Sequence, residues 1–358
     1  MEKMKSWWVL GLMSGTSLDG LDIIYTHIFI ENGHYKFSIM ACETIPYPKE
    51  WEFKLKNAFF ESSENIEKLN IDYGVYLGEK VTEFRIKNTI EKIDFVASHG
   101  HTIFHKPNEG YTLQIGDGQT ISTITGLKVV CDFRTQDVEL GGQGAPLVPI
   151  GDQLLFSEYA YCLNLGGFAN ISNDVDGKRI AFDVCPVNIV MNHYSKKIGL
   201  NYDDGGKIAQ SGIMNPDLLK ALDGLEYYKK PIPKSLGFEY VNEIIFPLID
   251  SYQLKVEDVL LTFVNHVVNQ ISNCLNQQKN DLLLVTGGGA FNVFLINELK
   301  KTVKNKIILP ENNTINFKEA LIFAFLGVLR TENQVNCLSS VTGAIKDHSS
   351  GKIFIKNG

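Results

Sequence analysis

Long runs of one kind are missing from this sequence. Its 358 residues carry 34 Lys and Arg against 41 Asp and Glu, a formal net charge of −7, and the basic residues never form a block. Nucleic acid and anionic membrane, which select for basic clusters, are therefore poor partners. No stretch approaches the roughly twenty apolar residues of a membrane span. The six cysteines (Cys42, Cys131, Cys162, Cys185, Cys274 and Cys337) are scattered, with no CxxC pair. That pattern argues against a disulfide framework or a zinc ribbon and for reduced thiols. Lys3 and Lys5 precede the apolar stretch Trp7–Met13. The stretch is short and runs into Ser, Thr and Asp without a small-x-small cleavage site, so it reads as a buried first strand. These absences predict a soluble, cytoplasmic protein. Two phosphate-binding signatures are missing as well. No GxxxxGK[ST] occurs, since Gly206-Lys207 is followed by Ile208 and Gly351-Lys352 by Ile353, and no GxGxxG follows a first strand.

What is present has a repeated plan. A chain of this length with 44% hydrophobic residues buries a large core and divides into two domains. Trp7–Met13, a glycine turn, Leu21–Ile30, the turn Glu31-Asn32-Gly33 and Tyr35–Cys42 predict an antiparallel meander. Tyr161–Leu165, Gly166-Gly167, Phe168–Ser172, the turn Asp174–Gly177 and Arg179–Val184 repeat that grammar. Helical spacing of apolar residues marks 65–91 and 259–275, and Phe317–Leu329 is apolar nearly all round, as a buried helix is. A buried strand at Leu282–Thr286 delivers Gly287-Gly288-Gly289 to the start of another helix. Two meander-plus-helix halves, with a cleft expected between them, describe a two-domain α/β fold of the actin-like (ribonuclease H-like) kind. An ordinary doubly wound sheet is the alternative that periodicity leaves open. The domains are expected at 1–136 with 335–358, and at 137–334.

Three glycine turns replace the missing signatures. Gly15-Thr16-Ser17, continuing through Leu18, Asp19, Gly20, Leu21 and Asp22, offers backbone N–H groups and hydroxyls to phosphate oxygens. Gly166-Gly167 offers a second set, and Gly287-Gly288-Gly289 permits close backbone approach to a nucleotide. Each alone is most often only a turn. An aspartate beside phosphate is repulsive unless a divalent cation lies between, so Asp19 reads as a Mg²⁺ residue or, in the plainer reading, an Asx-turn.

Asp183 closes the second meander, where a carboxylate suits a general base, or else a cap or turn residue. Glu319 sits at capping-box spacing in Asn316-Phe317-Lys318-Glu319, which favours a helix cap. His99 and His101 share a face if their strand is regular, yet no third ligand follows. They read as substrate-bonding or structural histidines rather than metal ligands. Arg134 offers a fork for a carboxylate, or pairs with Asp132 or Asp137. Gly141–Pro146 adds a further close-approach loop.

At this point nine ordered blocks resemble the anhydro-N-acetylmuramic acid kinases. They include GLMSGTSLDGLD (11–22), SHGHTIFHKP (98–107), DFRTQDVELGGQGAPLVP (132–149), LNLGGFANIS (163–172), FDVCPVN (182–188), PKSLGFE (233–239), TGGGAFN (286–292) and KEALIFAFL (318–326). The resemblance implies the actin-like kinase fold, ATP with Mg²⁺, and a homodimer. It also implies a reaction that opens the anhydro bridge with water while the released oxygen takes the γ-phosphoryl group, in the recycling of peptidoglycan. By the same resemblance Asp183 is the catalytic base, Glu319 an acid that helps to hold the water or sugar, and 15–22 the ATP-phosphate segment. His99, Arg134 and Asn188 fall on the sugar side, with Arg134 suited to the lactyl carboxylate. Lys234 and Ser235 match a block without an assigned role. Cys185, Val187 and His101 depart from the commoner family pattern, and are expected to alter substrate fit. A kinase of another amino sugar and a non-catalytic actin-like ATP-binding module are the two rival readings.

Overall fold

The structure is a computed structural model, and it describes residues 5–15, 18–276, 278 and 280–356. Two compact units emerge, Met1–Leu155 with Phe317–Gly358, and Phe156–Asn316. The division falls later than the expected 136/137 and earlier than 334/335. The reason is the helix α2 (Val148–Leu155), which packs within the first unit. Gly151 lies against Ile322, where an added Cβ would come within 2.7 Å of its side chain.

In the first unit β1 (Ser6–Ser14), β2 (Leu21–Glu31) and β3 (His34–Ile45) form an antiparallel meander. After helix α1 (Ser63–Lys87), β4 (Phe95–Lys106) lies parallel to β1. β5 (Tyr111–Ile115) pairs with β4, and β6 (Val129–Cys131) lies parallel to β4, with a C-terminal edge strand Lys352–Phe354 outside it. The second unit repeats the order with β7 (Tyr161–Leu165), β8 (Phe168–Val175) and β9 (Lys178–Pro186) as its meander. β10 (Leu282–Thr286) is parallel to β7, and β11 (Lys306–Ile308) is parallel to β10. Read from the meander edge, both sheets run third, second, first, then two parallel strands. This is the ribonuclease H-like order of an actin-like fold, and it removes the doubly wound alternative.

The duplication reaches the turns. Asn32-Gly33 has φ of 51° and 80°, and Asp176-Gly177 has 50° and 75°. Both are two-residue hairpins needing left-handed backbone at two positions, which Asn-Gly and Asp-Gly supply at least cost. Each unit has its own core. Leu10, Ile23, Tyr73, Leu77 and Val96 belong to the first, while Leu163, Val184, Phe263, Val267 and Leu283 belong to the second. Helix α3 (Asn188–Lys196), helix α4 (Val256–Asn273) and helix α5 (Val293–Thr302) complete the second unit. Helix α6 (Asn312–Thr331) has non-helical backbone at Phe317 (φ −113°, ψ 16°), where the division into units falls. Among the described residues no helix is long and apolar enough to cross a membrane.

Candidate active site

The second unit holds Asp183 by its backbone and by one carboxylate oxygen. Asn170 pairs with Asp183 and Ala169 with Cys185, so Val184 is an extra residue in β9. Such a bulge bends the strand and re-aims the neighbouring side chain. The Asp183 N–H donates to the Lys234 carbonyl at 2.9 Å. Its carbonyl accepts from Tyr227 Oη at 2.6 Å, and Oδ2 accepts from the Leu236 N–H at 2.8 Å. Oδ1 has no partner among the described residues, and the side chain is half-buried. Burial raises the carboxyl above its ordinary range, against the Leu236 bond. Lys234 does not neutralise it, because Nζ donates to the Tyr227 and Tyr228 carbonyls and sits 4.6 Å over the Tyr227 ring. One oxygen fixed, one open and no cation beside it is the arrangement of a general base. The helix-cap reading fails, since α3 begins at Asn188. Sequence reasoning marked Lys234 and Ser235 without a role. Their loop is the clasp on Asp183, made by backbone groups that residue identity does not announce.

The glycine turns divide by physical cause. Gly287 has φ 82°, and a Cβ there would lie 2.6 Å from Asn164 Oδ1; at Gly289 it would lie 2.7 Å from Leu165 Cβ. These two are glycines because their turn sits directly on β7. At Gly166 an added Cβ would crowd Asn164 Nδ2 at 3.3 Å and the Phe168 carbonyl at 3.5 Å, but at Gly167 and Gly288 it would meet nothing nearer than 3.9 and 3.6 Å. Their faces are open, so a ligand fits where a side chain would otherwise stand. Asn188 holds the Gly166-Gly167 turn, donating Nδ2 to the Leu165 carbonyl at 3.0 Å while its N–H reaches the Gly166 carbonyl, and its side chain lies beside Gly288 and Gly289. The expected sugar-side residue thus lies beside the glycine turns.

In the first unit, Thr16 and Ser17 lie outside the described residues. The Gly15 carbonyl accepts from the Leu18 N–H at 3.3 Å, and Leu18 has φ 62°. Gly20 backs onto Ile45, and Leu21 is a core side chain. Asp19 is exposed. Asp22 is half-buried, accepts from Thr44 Oγ1 at 2.6 Å, and is pushed up to about 6 by burial, with the charges of Glu319 and Asp19 adding to the rise. Among the described residues Asp19, Asp22 and Glu319 do not form a group of three donor atoms within 4.8 Å of one another. Asp22 was expected in the ATP-phosphate segment, and of the two acids it is the one that the fold partly buries.

A folded-state value above the ordinary 3.8 means that ionising Asp22 destabilises the fold, progressively as pH rises from about 3.8 and fully above about 6. Asp22→Asn is therefore expected to stabilise the protein near neutral pH by on the order of 1 kcal/mol, discounting for partial exposure. Thermal melts should show this gap closing as the solution is acidified towards pH 4, and added Mg²⁺ should raise the melting temperature of the wild type more than that of the variant.

The non-helical backbone at Phe317 does place Glu319 in the first turn of the apolar part of α6, but among the described residues no backbone N–H donates to its carboxylate, so it does not act as a cap. Its surface is exposed, yet protein atoms crowd it; that crowding raises its carboxyl, while Arg134 and Lys318 draw it down. Arg134 Nε donates to His99 Nε2 at 3.0 Å, and Nη1 donates to the Gly144 carbonyl at 2.6 Å. Neither Asp132, which pairs with Lys352 at 2.8 Å, nor Asp137 bonds to it. Nη2 remains for a ligand. His99 is the corrected residue here. It is buried, its Nδ1 faces the Gly100 carbonyl at 2.9 Å and its Nε2 is taken by Arg134. Burial and the guanidinium hold it well below the ordinary range, so it is neutral and keeps a lone pair for Arg134. It positions the arginine and has no ring nitrogen left for substrate.

Gly100, at φ 73°, interrupts the alternation that would have put His99 and His101 on one face. His101 Nδ1 instead meets Ser14 Oγ at 2.8 Å in a chain running on to Tyr47 and Tyr73. Among the described residues neither histidine, nor His105, belongs to a group of three metal donors. Cys185 and Val187 have no exposed surface and His101 is 3% exposed, so these family departures are packing residues rather than side chains of the site wall.

The sequence profile of the anhydro-N-acetylmuramic acid kinase family matches residues 7–356. This chain belongs to that family. It is 33% identical to the anhydro-N-acetylmuramic acid kinase of Haemophilus influenzae over the full length of both chains. The kinase of the same name from Caldanaerobacter subterraneus is also 33% identical, over 97% of this chain and 96% of its own. A looser likeness is to a ROK family glucokinase from Streptomyces griseus, at 10% identity and a TM-score of 0.38 over 90% of this chain and 99% of that one. The family assignment rests on the first three matches.

Proposed function

We propose that this chain is an ATP-dependent kinase of anhydro-N-acetylmuramic acid. It opens the 1,6-anhydro bridge with water and phosphorylates the released 6-oxygen, giving N-acetylmuramic acid 6-phosphate and ADP. The observation that carries this reading is Asp183, a half-buried carboxylate with Oδ2 fixed and Oδ1 open. In the proposed step Oδ1 takes a proton from water, the water oxygen bonds to the anomeric carbon, the bond from that carbon to the bridging oxygen breaks, and this oxygen takes the terminal phosphoryl group. Base-assisted attack opposite a departing oxygen follows the logic of an inverting glycosidase, and the phosphoryl half needs alignment and charge neutralisation more than covalent help.

Asp22 and Asp19 would hold Mg²⁺, whose contribution is to neutralise phosphate charge. Gly167 and Gly288 leave open backbone for the nucleotide. Glu319 holds the water or the sugar, and Arg134 Nη2 takes the lactyl carboxylate.

The test is ADP release with anhydro-N-acetylmuramic acid and with other amino sugars, the product being weighed by mass spectrometry. A product heavier by one water and one phosphoryl group (H2O plus HPO3) is expected from the anhydro sugar alone. Phosphorylation without added water, or turnover of a different sugar only, would replace this reading with the rival kinase. Arg134→Lys is expected to raise KM for the sugar roughly 10–100-fold with kcat changed much less, because an ammonium cannot bridge His99, Gly144 and a carboxylate at once. Steady-state kinetics at saturating ATP measures the split.

A further inference from the structure

Asp137, Cys337 and His348 form a second chemical cluster in the first unit, unused by the reaction above. They are 0%, 1% and 6% exposed. Asp137 Oδ1 lies 3.5 Å from His348 Nε2 and 3.5 Å from Cys337 Sγ. All three donor atoms fall within 4.8 Å of one another. Their placement is built into the backbone: Cys337 and His348 pair as an isolated antiparallel bridge, each N–H reaching the other's carbonyl at 3.1 and 3.2 Å.

The histidine decides the reading. Its Nδ1 faces the Lys346 carbonyl at 3.1 Å, so Nδ1 carries the proton and Nε2 presents a lone pair. Nε2 is buried and makes no hydrogen bond. A bare lone pair beside a carboxylate oxygen is repulsive, and a positive centre there reverses the sign. A tetrahedral ion with bonds of about 2.0 Å to oxygen or nitrogen and about 2.3 Å to sulfur sets its ligand atoms about 3.3–3.5 Å apart. Both separations from Asp137 agree with that spacing.

We propose that Asp137, Cys337 and His348 hold a structural divalent transition-metal ion of the Zn²⁺ class. Thiolate, carboxylate and neutral imidazole around a doubly charged ion sum to zero charge, which is what burial favours. Loading exchanges one proton for the ion: the Cys337 S–H bond breaks, the proton leaves to solvent and an S–metal bond forms, with no change of oxidation state. Further partners orient the carboxylate, Thr342 Oγ1 donating to Oδ1 at 2.7 Å and the Gly144 N–H to Oδ2 at 2.7 Å. Gly144 is also the residue whose carbonyl receives Arg134. The ion therefore fastens the 337–348 segment to the loop that holds the guanidinium.

The test uses the full chain without a histidine tag. Elemental analysis of protein purified from zinc-containing medium should find about one equivalent of Zn²⁺ per chain. Protein made in metal-depleted medium and titrated with Co²⁺ should gain a thiolate-to-cobalt charge-transfer band and a higher melting temperature. Cys337→Ser should lose the band, and His348→Gln should weaken Co²⁺ binding at least tenfold, circular dichroism reporting whether each variant is folded. No band and no thermal shift in the wild type would overturn the proposal and leave a proton on His348 as what faces Asp137. Undiminished Co²⁺ binding by both variants would overturn it too, by placing the ion elsewhere.

Discussion

Asp183→Asn is expected to lower kcat by roughly 10²–10⁴-fold, the contribution of a positioned general base, with nucleotide affinity unchanged. The asparagine keeps an oxygen for the Leu236 N–H, which now reaches the carboxylate at 2.8 Å. The backbone bonds to Lys234 and Tyr227 do not involve the side chain at all. The loop should therefore stay in place while the acceptor for the water proton disappears. ADP release measures the rate, and calorimetric titration with a non-hydrolysable ATP analogue measures the binding. Activity within a factor of a few of the wild type would remove Asp183 as the base and with it the proposed water step. Because burial raises this carboxyl, the acid limb of the kcat profile should lie above the range of a solvated aspartate, activity falling as pH drops through it.

The second large effect is on stability. Lys318 and Asp152 form an ion pair at 2.6 Å in which both side chains are less than 8% exposed. Removing one partner of a buried pair strands the other charge, at a cost of about 3–5 kcal/mol, whereas replacing both by apolar groups is close to neutral. Lys318→Met is thus expected to lower the melting temperature by on the order of ten degrees, and the double substitution Lys318→Met with Asp152→Leu to recover most of it. A single variant that melts like the wild type would show that water reaches the pair and screens it. The single variant should also raise the carboxyl of the adjacent Glu319 further, since Lys318 is one of the two cations drawing it down.

The two meanders and Leu282–Thr286 were legible because their apolar runs end in glycine turns, and the two hairpin turns could be read residue by residue, whereas β5, β6, β11 and the edge strand Lys352–Phe354 are too short to stand out. The ends of the compact units were not. Helix α2 looks from sequence like part of the following domain, and only the packing of Gly151 on Ile322 and the ion pair to Lys318 assign it to the first. Asp183 was readable as a carboxylate ending a strand. Glu319 was legible as a first-turn residue, because the backbone breaks at Phe317 where the apolar run begins, but spacing alone could not say that no backbone N–H would bond to it. His99 was misjudged for a different reason. A single glycine in the left-handed region turned the strand, and no periodicity count detects that. Asp22 stood in plain view, but its raised carboxyl comes from burial and, in smaller part, from Thr44 and Glu319, which the fold brings from elsewhere in the chain.

The clasp on Asp183 is made almost wholly of main chain: the Lys234 carbonyl and the Leu236 amide. The side chains of Ser235 and Leu236 are consequently free to drift in evolution without loosening the carboxylate, provided the loop keeps its path, whereas that of Lys234 also ties down Tyr227 and Tyr228. A survey that scores importance by residue identity would undervalue this loop. Shortening it by one residue should harm the enzyme more than any single replacement within it.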